Sequence, residues 1–189
     1  MEMFKTIAKA WKIEDIRKKI IFTLLMLVIF RIGSNIPVPG INRAYLEQAV
    51  TNQDGLFALF DLFSGGAFSN FTIFALSITP YITASIILQL LTIAMPALER
   101  LAREGQEGQK KIAQYTRYLT VVLAFVQAIG VSVGLFRQAL ISTAFFDVAV
   151  IVLVLSAGTA FLMWLGEKIN ENGIGNGISL IIFGGIIAR

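Results

Sequence analysis

Residues 54–98 read DGLFALFDLFSGGAFSNFTIFALSITPYITASIILQLLTIAMPAL and carry no charge between Asp61 and the end of the stretch. The glycine pair Gly65-Gly66 divides them into a short amphipathic piece, 56–64, and a long apolar piece, 71–95. A helix needs about 20 apolar residues to cross the ~30 Å hydrocarbon core of a membrane, so only the long piece can span it. Non-helical backbone is tolerated at membrane depth only inside protein or beside water. The break therefore indicates a pathway through the membrane and not a simple anchor.

The composition indicates a membrane protein and argues against most enzyme chemistry. Of 189 residues, 56% are hydrophobic and only 15% are charged, whereas a soluble domain has about 25% charged residues. The chain has no Cys and no His, which excludes disulfides, thiolate sites and histidine-based catalysis. The cations behind the net charge of +4 flank apolar runs, which favours anionic lipid headgroups over nucleic acid. We expect no catalytic residue, no cofactor, no metal site and no direct readout of nucleic acid.

Hydropathy predicts four further segments around this stretch. The first is a helix on the membrane surface over 3–18, because Phe4, Ile7 and Trp11 share one helical face beside several lysines; a frayed basic tail fits the same residues. The others are membrane spans, predicted over 20–36, 113–136 and 147–168.

A fifth apolar run begins at 177 and stops at 189, short of a full span. Either the chain is a fragment or this helix would have continued.

The distribution of Lys and Arg predicts the orientation. Twelve of the 16 cations lie before the first span, in the charged segment 99–117 or at Lys168. The positive-inside rule therefore places the N-terminus in the cytoplasm and the piece 56–64 in the outer half of the membrane. We interpret 99–117 as a solvated loop. For Arg31 we favour a side chain that snorkels to the outer interface over a buried functional arginine.

Polar residues inside the spans are costly unless another polar group meets them, so we expect Thr83 and Gln127 to face protein or water. Two simpler explanations stay open: the hydroxyl of Thr83 bonds to its own helix, and Gln127 only joins two helices. In the third span, Gly130 and Gly134 form a GxxxG pair that permits close helix contact.

The glycine-rich segment GIGNG, residues 173–177, predicts a tight cytoplasmic turn with Asn176 capping the next helix. We reject a nucleotide-binding loop because a spanning helix, and no strand, precedes the segment and no Gly-Lys-Ser/Thr ending follows.

Five segments occur in the order FRIGSNIPVPGI, LFSGGAFS, FALSITPYITASIILQLL, KKIAQYTRY and WLGEKINENGIGNGISLIIF. Together they resemble the bacterial SecY family of protein-conducting channels over essentially the whole chain. Ser77 stands where that family usually carries Gly. Because a small residue is kept, we expect slightly altered packing and no loss of function.

The resemblance implies an all-α, polytopic transmembrane bundle, the N-terminal half of a pseudo-symmetric ten-helix channel with a short plug helix and a lateral gate. The implied plug and hinge comprise Leu56, Phe57, Leu59, Phe60, Leu62, Phe63, Gly65 and Gly66. The implied pore ring comprises Ile78, Ile82 and Ile182, and the implied lateral gate comprises Thr83, Ile86 and Gln127. The spacing of four between Ile78 and Ile82 puts both on one helical face, which suits a ring.

The implied function is to translocate unfolded secretory polypeptides across the bacterial cytoplasmic membrane and to release membrane-protein segments into lipid. The implied partners are the SecE and SecG subunits, the SecA motor ATPase or the ribosome, signal sequences, nascent polypeptide, membrane lipid and the C-terminal half of the channel. A secondary transporter is a rival, but no charged residue lies in the apolar runs of the second to fifth spans (71–95, 119–136, 148–166 and 177–188), where coupling ions usually need one. A noncatalytic scaffold is a second rival, which the Gly-rich helix packing permits equally.

Overall fold

The computed structural model describes residues 13–42, 61–62, 64–135, 140 and 144–187. The predicted surface helix up to residue 12 and the plug residues Leu56, Phe57, Leu59, Phe60 and Phe63 lie outside this part of the chain. The named helices are α1 (Glu14–Gly33), α2 (Thr79–Ala94), α3 (Pro96–Arg103), α4 (Gln106–Ile129), α5 (Phe145–Asn172) and α6 (Gly177–Ile187). A π-helical segment, Gly130–Leu135, continues α4.

Helix α5 is the centre of the bundle and packs against α1, α4 and α6. Its core side chains include Leu155, Leu162 and Leu165, each 0% exposed. Small residues bring neighbouring backbones close: a Cβ on Gly158 would lie 1.9 Å from the carbonyl oxygen of Ile73. Helices α1, α4 and α6 are therefore arranged around this one helix, whereas α2 packs mainly against α4.

Helix α1 begins before the predicted first span. It starts at Glu14, so residues 14–18, predicted as surface helix, belong to the same helix as the span. The stretch contains no Pro or Gly that would end a helix, and Glu14 pairs with Lys18 one turn later at 2.8 Å. The helix ends at Gly33, and the following chain pairs with the segment near Thr72 through Val38 N–H and the carbonyl oxygen of Phe71, 3.0 Å apart.

The predicted helix over 71–95 is wrong in its first third, because α2 begins only at Thr79. Before it, residues 65–78 form hydrogen-bonded turns joined by an isolated bridge at Thr72. Two non-glycine residues there have positive φ, Phe71 at 44° and Ser77 at 52°, a conformation that cannot continue a right-handed helix. Pro80 then lies in the first turn of α2, where its missing N–H leaves no helical bond unmade.

The segment 99–117 is exposed but is not a loop. It consists of most of α3, a short turn and the start of α4. Pro96 ends α2, and the axes of α2 and α3 differ by 100°. Gly105, with φ of 76°, separates α3 from α4. Hydropathy missed these helices because their exposed residues are too polar to read as spans.

By length and composition, two helices of the described chain can cross a membrane: Gln106–Gly134 and Phe145–Asn172. A third span results only if the bent pair α2 and α3 is taken as one. The GxxxG pair makes no close contact in the part of the chain that the structure describes, because a Cβ added at Gly130 or Gly134 meets nothing within 4 Å there. Close approaches occur at other glycines, such as Gly158 of α5.

Candidate functional site

The implied pore residues meet at one apolar cluster, here called the central cluster. Helices α1, α5 and α6 and the turns before α2 supply its buried members, which are Met26, Phe30, Ala67, Phe74, Ile78, Leu162, Leu165, Ile169 and Ile181. Ile78 is 1% exposed within it, and the partly buried Ile82 and Ile182 pack against its edge. The structure thus brings together the three isoleucines that the sequence analysis singled out.

Backbone geometry explains how α2 presents two of them. Ile78 is the N-cap of α2, and its carbonyl oxygen accepts a hydrogen bond from Ile82 N–H at 3.1 Å. The two residues therefore lie one turn apart, as predicted from their spacing, although Ile78 precedes the helix. Phe74 belongs to the same cluster, and its ring stacks with those of Phe30 and Phe161 at centroid distances of 6.0 Å in both pairs.

The central cluster is packed inside the protein. Its buried members are all apolar, and four of its large side chains, Ile78, Leu162, Leu165 and Ile169, are at most 1% exposed. Of the three implied ring residues, Ile82 and Ile182 are therefore the two that keep exposed surface in this chain.

The implied gate residues lie on two packed helices. Thr83 and Ile86 are on α2 and Gln127 is on α4, which runs alongside α2. The hydroxyl of Thr83 donates to the carbonyl oxygen of Thr79 at 3.1 Å, so the simpler explanation holds for this residue. Ile86 is 51% exposed, and Gln127 is half-buried.

The implied hinge is an ordered turn. Gly65 and Gly66 have φ of 65° and 84°, which glycine adopts without steric cost. Gly66 N–H donates to the carbonyl oxygen of Asp61 at 3.0 Å, and Ser69 N–H donates to the buried carboxylate Oδ1 of Asp61 at 2.8 Å. The adjoining Ala67 is fully buried in the central cluster. The turn is therefore attached to the same core as the implied ring.

Arg31 lies against the implied hinge. Its guanidinium Nη1 donates to the carbonyl oxygen of Gly65 at 3.2 Å, and the side chain is half-buried. This contact with the protein was not predicted, and snorkelling of Arg31 to the outer interface stays a prediction. The only sequence signal was an arginine in an apolar run, and its partner 34 residues away requires the tertiary structure.

The GIGNG turn joins α5 to α6 as predicted. The Asn176 Oδ1 atom accepts hydrogen bonds from the N–H groups of Ile178 and Ser179, at 3.0 and 3.3 Å, which confirms the predicted helix cap. Sequence reasoning missed Thr23, whose Oγ1 accepts from Ile174 N–H at 3.1 Å and so joins α1 to this turn. A threonine in an apolar helix was the only available signal.

Helices α4 and α5 are also tied by an ion pair that the sequence analysis missed. Arg117 Nε lies 2.7 Å from Glu167 Oε1, and the glutamate side chain is only 19% exposed. The partners are 50 residues apart, so no local pattern predicts the pair. It fixes the polar end of α5 relative to α4.

Comparison with known proteins identifies the class. The structure superposes on a solved protein-conducting channel with a TM-score of 0.63 at 22% identity, covering 90% of this chain and 36% of that one. The fold is thus an all-helical channel bundle. The family model for SecY matches residues 72–189, and the chain belongs to the SecY family.

Two curated relatives agree with this assignment. Both are protein translocase subunits SecY: that of Halalkalibacterium halodurans is 54% identical, and that of Bacillus subtilis is 51% identical. Each match covers 98% of this chain but 44% of the relative, so the chain spans less than half the length of these proteins. Family and apolar helices together make this a bacterial membrane protein of the transport type.

Proposed function

We propose that this chain is the N-terminal half of a protein-conducting channel subunit, which passes unfolded secretory polypeptides across the cytoplasmic membrane and releases membrane-protein segments into lipid. The observation that carries the proposal is the convergence of Ile78, Ile82 and Ile182 on one apolar cluster. The role is not enzymatic: the protein moves a polypeptide without changing its covalent bonds. Relatives named protein translocase subunits support the same cargo.

The channel would be closed in two ways. An apolar ring that includes the three isoleucines excludes water and ions, and the plug, residues 56–64, forms a second barrier on the outer side. A signal sequence would open the channel by entering beside α2, at the gate residues Thr83, Ile86 and Gln127. The plug would then leave on its Gly65-Gly66 hinge, and the polypeptide would pass the ring.

The orientation and the partners form part of the same proposal. The excess of Lys and Arg before α1 and in its first turns, in α3 and at the start of α4 supports a cytoplasmic N-terminus. We propose that the chain assembles with its C-terminal half and with SecE and SecG, and that the SecA motor or the ribosome delivers the cargo. Signal sequences, nascent polypeptide and membrane lipid would contact α2 at the lateral gate.

Single-channel recording of the complete protein in planar bilayers tests the proposal. Deletion of residues 56–60 should produce frequent openings without any signal sequence, because one of the two barriers is gone. Deletion of residues 46–50, equal in length and just before the plug, is the matched control and should leave the channel closed. A scaffold would show no conductance in any variant, and uptake of a small solute by proteoliposomes would favour a transporter.

A further inference from the structure

Arg31 contacts the hinge in a way that membrane anchoring does not require. Its Nη1 atom donates to the backbone carbonyl of Gly65 at 3.2 Å, bridging α1 and the turn that follows the plug. Hydrogen bonds from a charged donor are stronger than those between neutral groups. A half-buried guanidinium in an apolar span is costly without such a partner. The bond therefore accounts for an arginine at this position.

Gly65 also lies against α6. A Cβ added to Gly65 would come within 2.9 Å of both the Cα and the carbonyl oxygen of Gly185. Gly65 is therefore in contact with a donor on α1 and with the backbone of α6. Gly66, the other hinge glycine, has no such neighbour: its nearest contact for a Cβ is the amide nitrogen of Asn70 at 3.8 Å.

Helix α6 also carries Ile182, three residues before Gly185, and residues three apart lie on one face of a helix. The same face therefore borders the central cluster and the hinge. Any displacement of α6 as a rigid helix would move Ile182 and Gly185 together. One helix therefore contacts both the implied ring and the implied hinge.

We propose that Arg31 is a positioning residue that, together with Gly185, locks the hinge of the plug in the resting channel. The lock is released when α6 moves with the widening ring. This inference rests on the proposed channel function. It assigns to Arg31 a role in keeping the plug closed, which a residue that only reaches for lipid headgroups would not have.

The test is the resting open probability of the complete channel in planar bilayers, without a signal sequence. Arg31→Met removes the donor and keeps an unbranched stem, and we expect an increase of about 10-fold, the order of effect for one charge-assisted hydrogen bond. Arg17→Met, an exposed arginine at the start of the same helix, is the matched control and should not change the open probability. Deletion of residues 56–60 gives the reference for a channel without its plug.

The outcomes separate the lock from the channel. If Arg31→Met equals Arg17→Met while the deletion opens the channel, the lock is refuted and the proposed function stands. If the deletion produces no conductance either, the proposed function is refuted and the lock with it.

A second pair of variants tests the α6 side of the lock, including the case in which Arg31→Met does not insert. Gly65→Ala and Gly66→Ala both place a methyl group at a positive φ, but only the first meets Gly185. We expect Gly65→Ala to raise the resting open probability well above that of Gly66→Ala. Equal values for the two variants would overturn the role of Gly185.

Discussion

Ser77 stands where the family usually carries Gly, and its backbone conformation has a free-energy cost that the small size of serine does not predict. Its φ of 52° lies in the left-handed region, and it is 6% exposed directly before α2. Glycine adopts this conformation freely, whereas a side chain costs about 1–2 kcal/mol. The small size of serine predicts slightly altered packing, and the positive φ adds backbone strain as a second physical difference.

Replacement of Ser77 by glycine should therefore stabilise the protein. We expect Ser77→Gly to raise the free energy of unfolding by about 1 kcal/mol, measured by thermal unfolding of the complete protein in detergent. Ser85→Gly, a serine inside α2, is the control and should lower it by up to about 1 kcal/mol, because glycine weakens a helix interior. Destabilisation by Ser77→Gly would show that the left-handed conformation of Ser77 does not lower the free energy of unfolding.

At the scale of single residues, local rules predicted what depends on local chemistry. The cap formed by Asn176 and the break at Gly65-Gly66 were predicted because an amide next to a helix start and a glycine pair act through their own backbone. The contact of Arg31 was missed because its acceptor is a carbonyl oxygen, which every residue carries. No side-chain pattern marks such a partner.

At the scale of elements, hydropathy found the apolar segments but misplaced several ends. It merged residues 71–78 with α2 because a turn packed inside protein is as apolar as a spanning helix. It also described α3 and the start of α4 as a loop because exposed helices are polar. Helix α6 begins at Gly177, the predicted residue, where the turn chemistry is explicit in the sequence.

The packing of α5 against the turns before α2 gives a prediction at this scale. In Gly158→Ala the new methyl group would lie 1.9 Å from the carbonyl oxygen of Ile73, which neither backbone can accommodate without moving. We expect a loss of at least about 1–3 kcal/mol of unfolding free energy, the usual cost of overpacking. Thermal unfolding of the complete protein in detergent, the measurement described for Ser77→Gly, determines this loss of unfolding free energy.

The control for this prediction is Gly130→Ala, since a Cβ there meets nothing within 4 Å among the described residues. It should be neutral or slightly stabilising. If both alanine variants unfold at the same temperature, the close approach of α5 to Ile73 is not present in the folded protein.

At the scale of the whole molecule, large apolar side chains on several helices remain uncovered by this chain. Leu24 on α1 is 54% exposed, Ile93 on α2 is 82% exposed, and Val122 on α4 is 58% exposed. The large number of such side chains in the described structure indicates contact with lipid or with another protein surface. A membrane and a second half of the channel would cover these faces, consistent with a chain that spans 44% of its relatives.

Composition and the broken stretch predicted a membrane protein with a pathway, and five ordered segments predicted the family. Neither predicted how the ring and the hinge are joined. That connection depends on α1, α5 and α6 meeting around the central cluster, and on a glycine of α6 that touches a glycine 120 residues earlier in the chain. Long-range contacts of this kind have no local sequence signal.

The central claim, that Ile82 lies on the path of a translocating polypeptide, is tested most directly by site-specific photo-crosslinking in the complete channel. A photoreactive residue at position 82 should crosslink strongly to a secretory chain arrested in transit. The same probe at Leu153, which is 60% exposed on the outer face of α5, should label lipid and not the chain. Labelling confined to lipid at position 82, or equal labelling of the chain from both positions, would contradict the account.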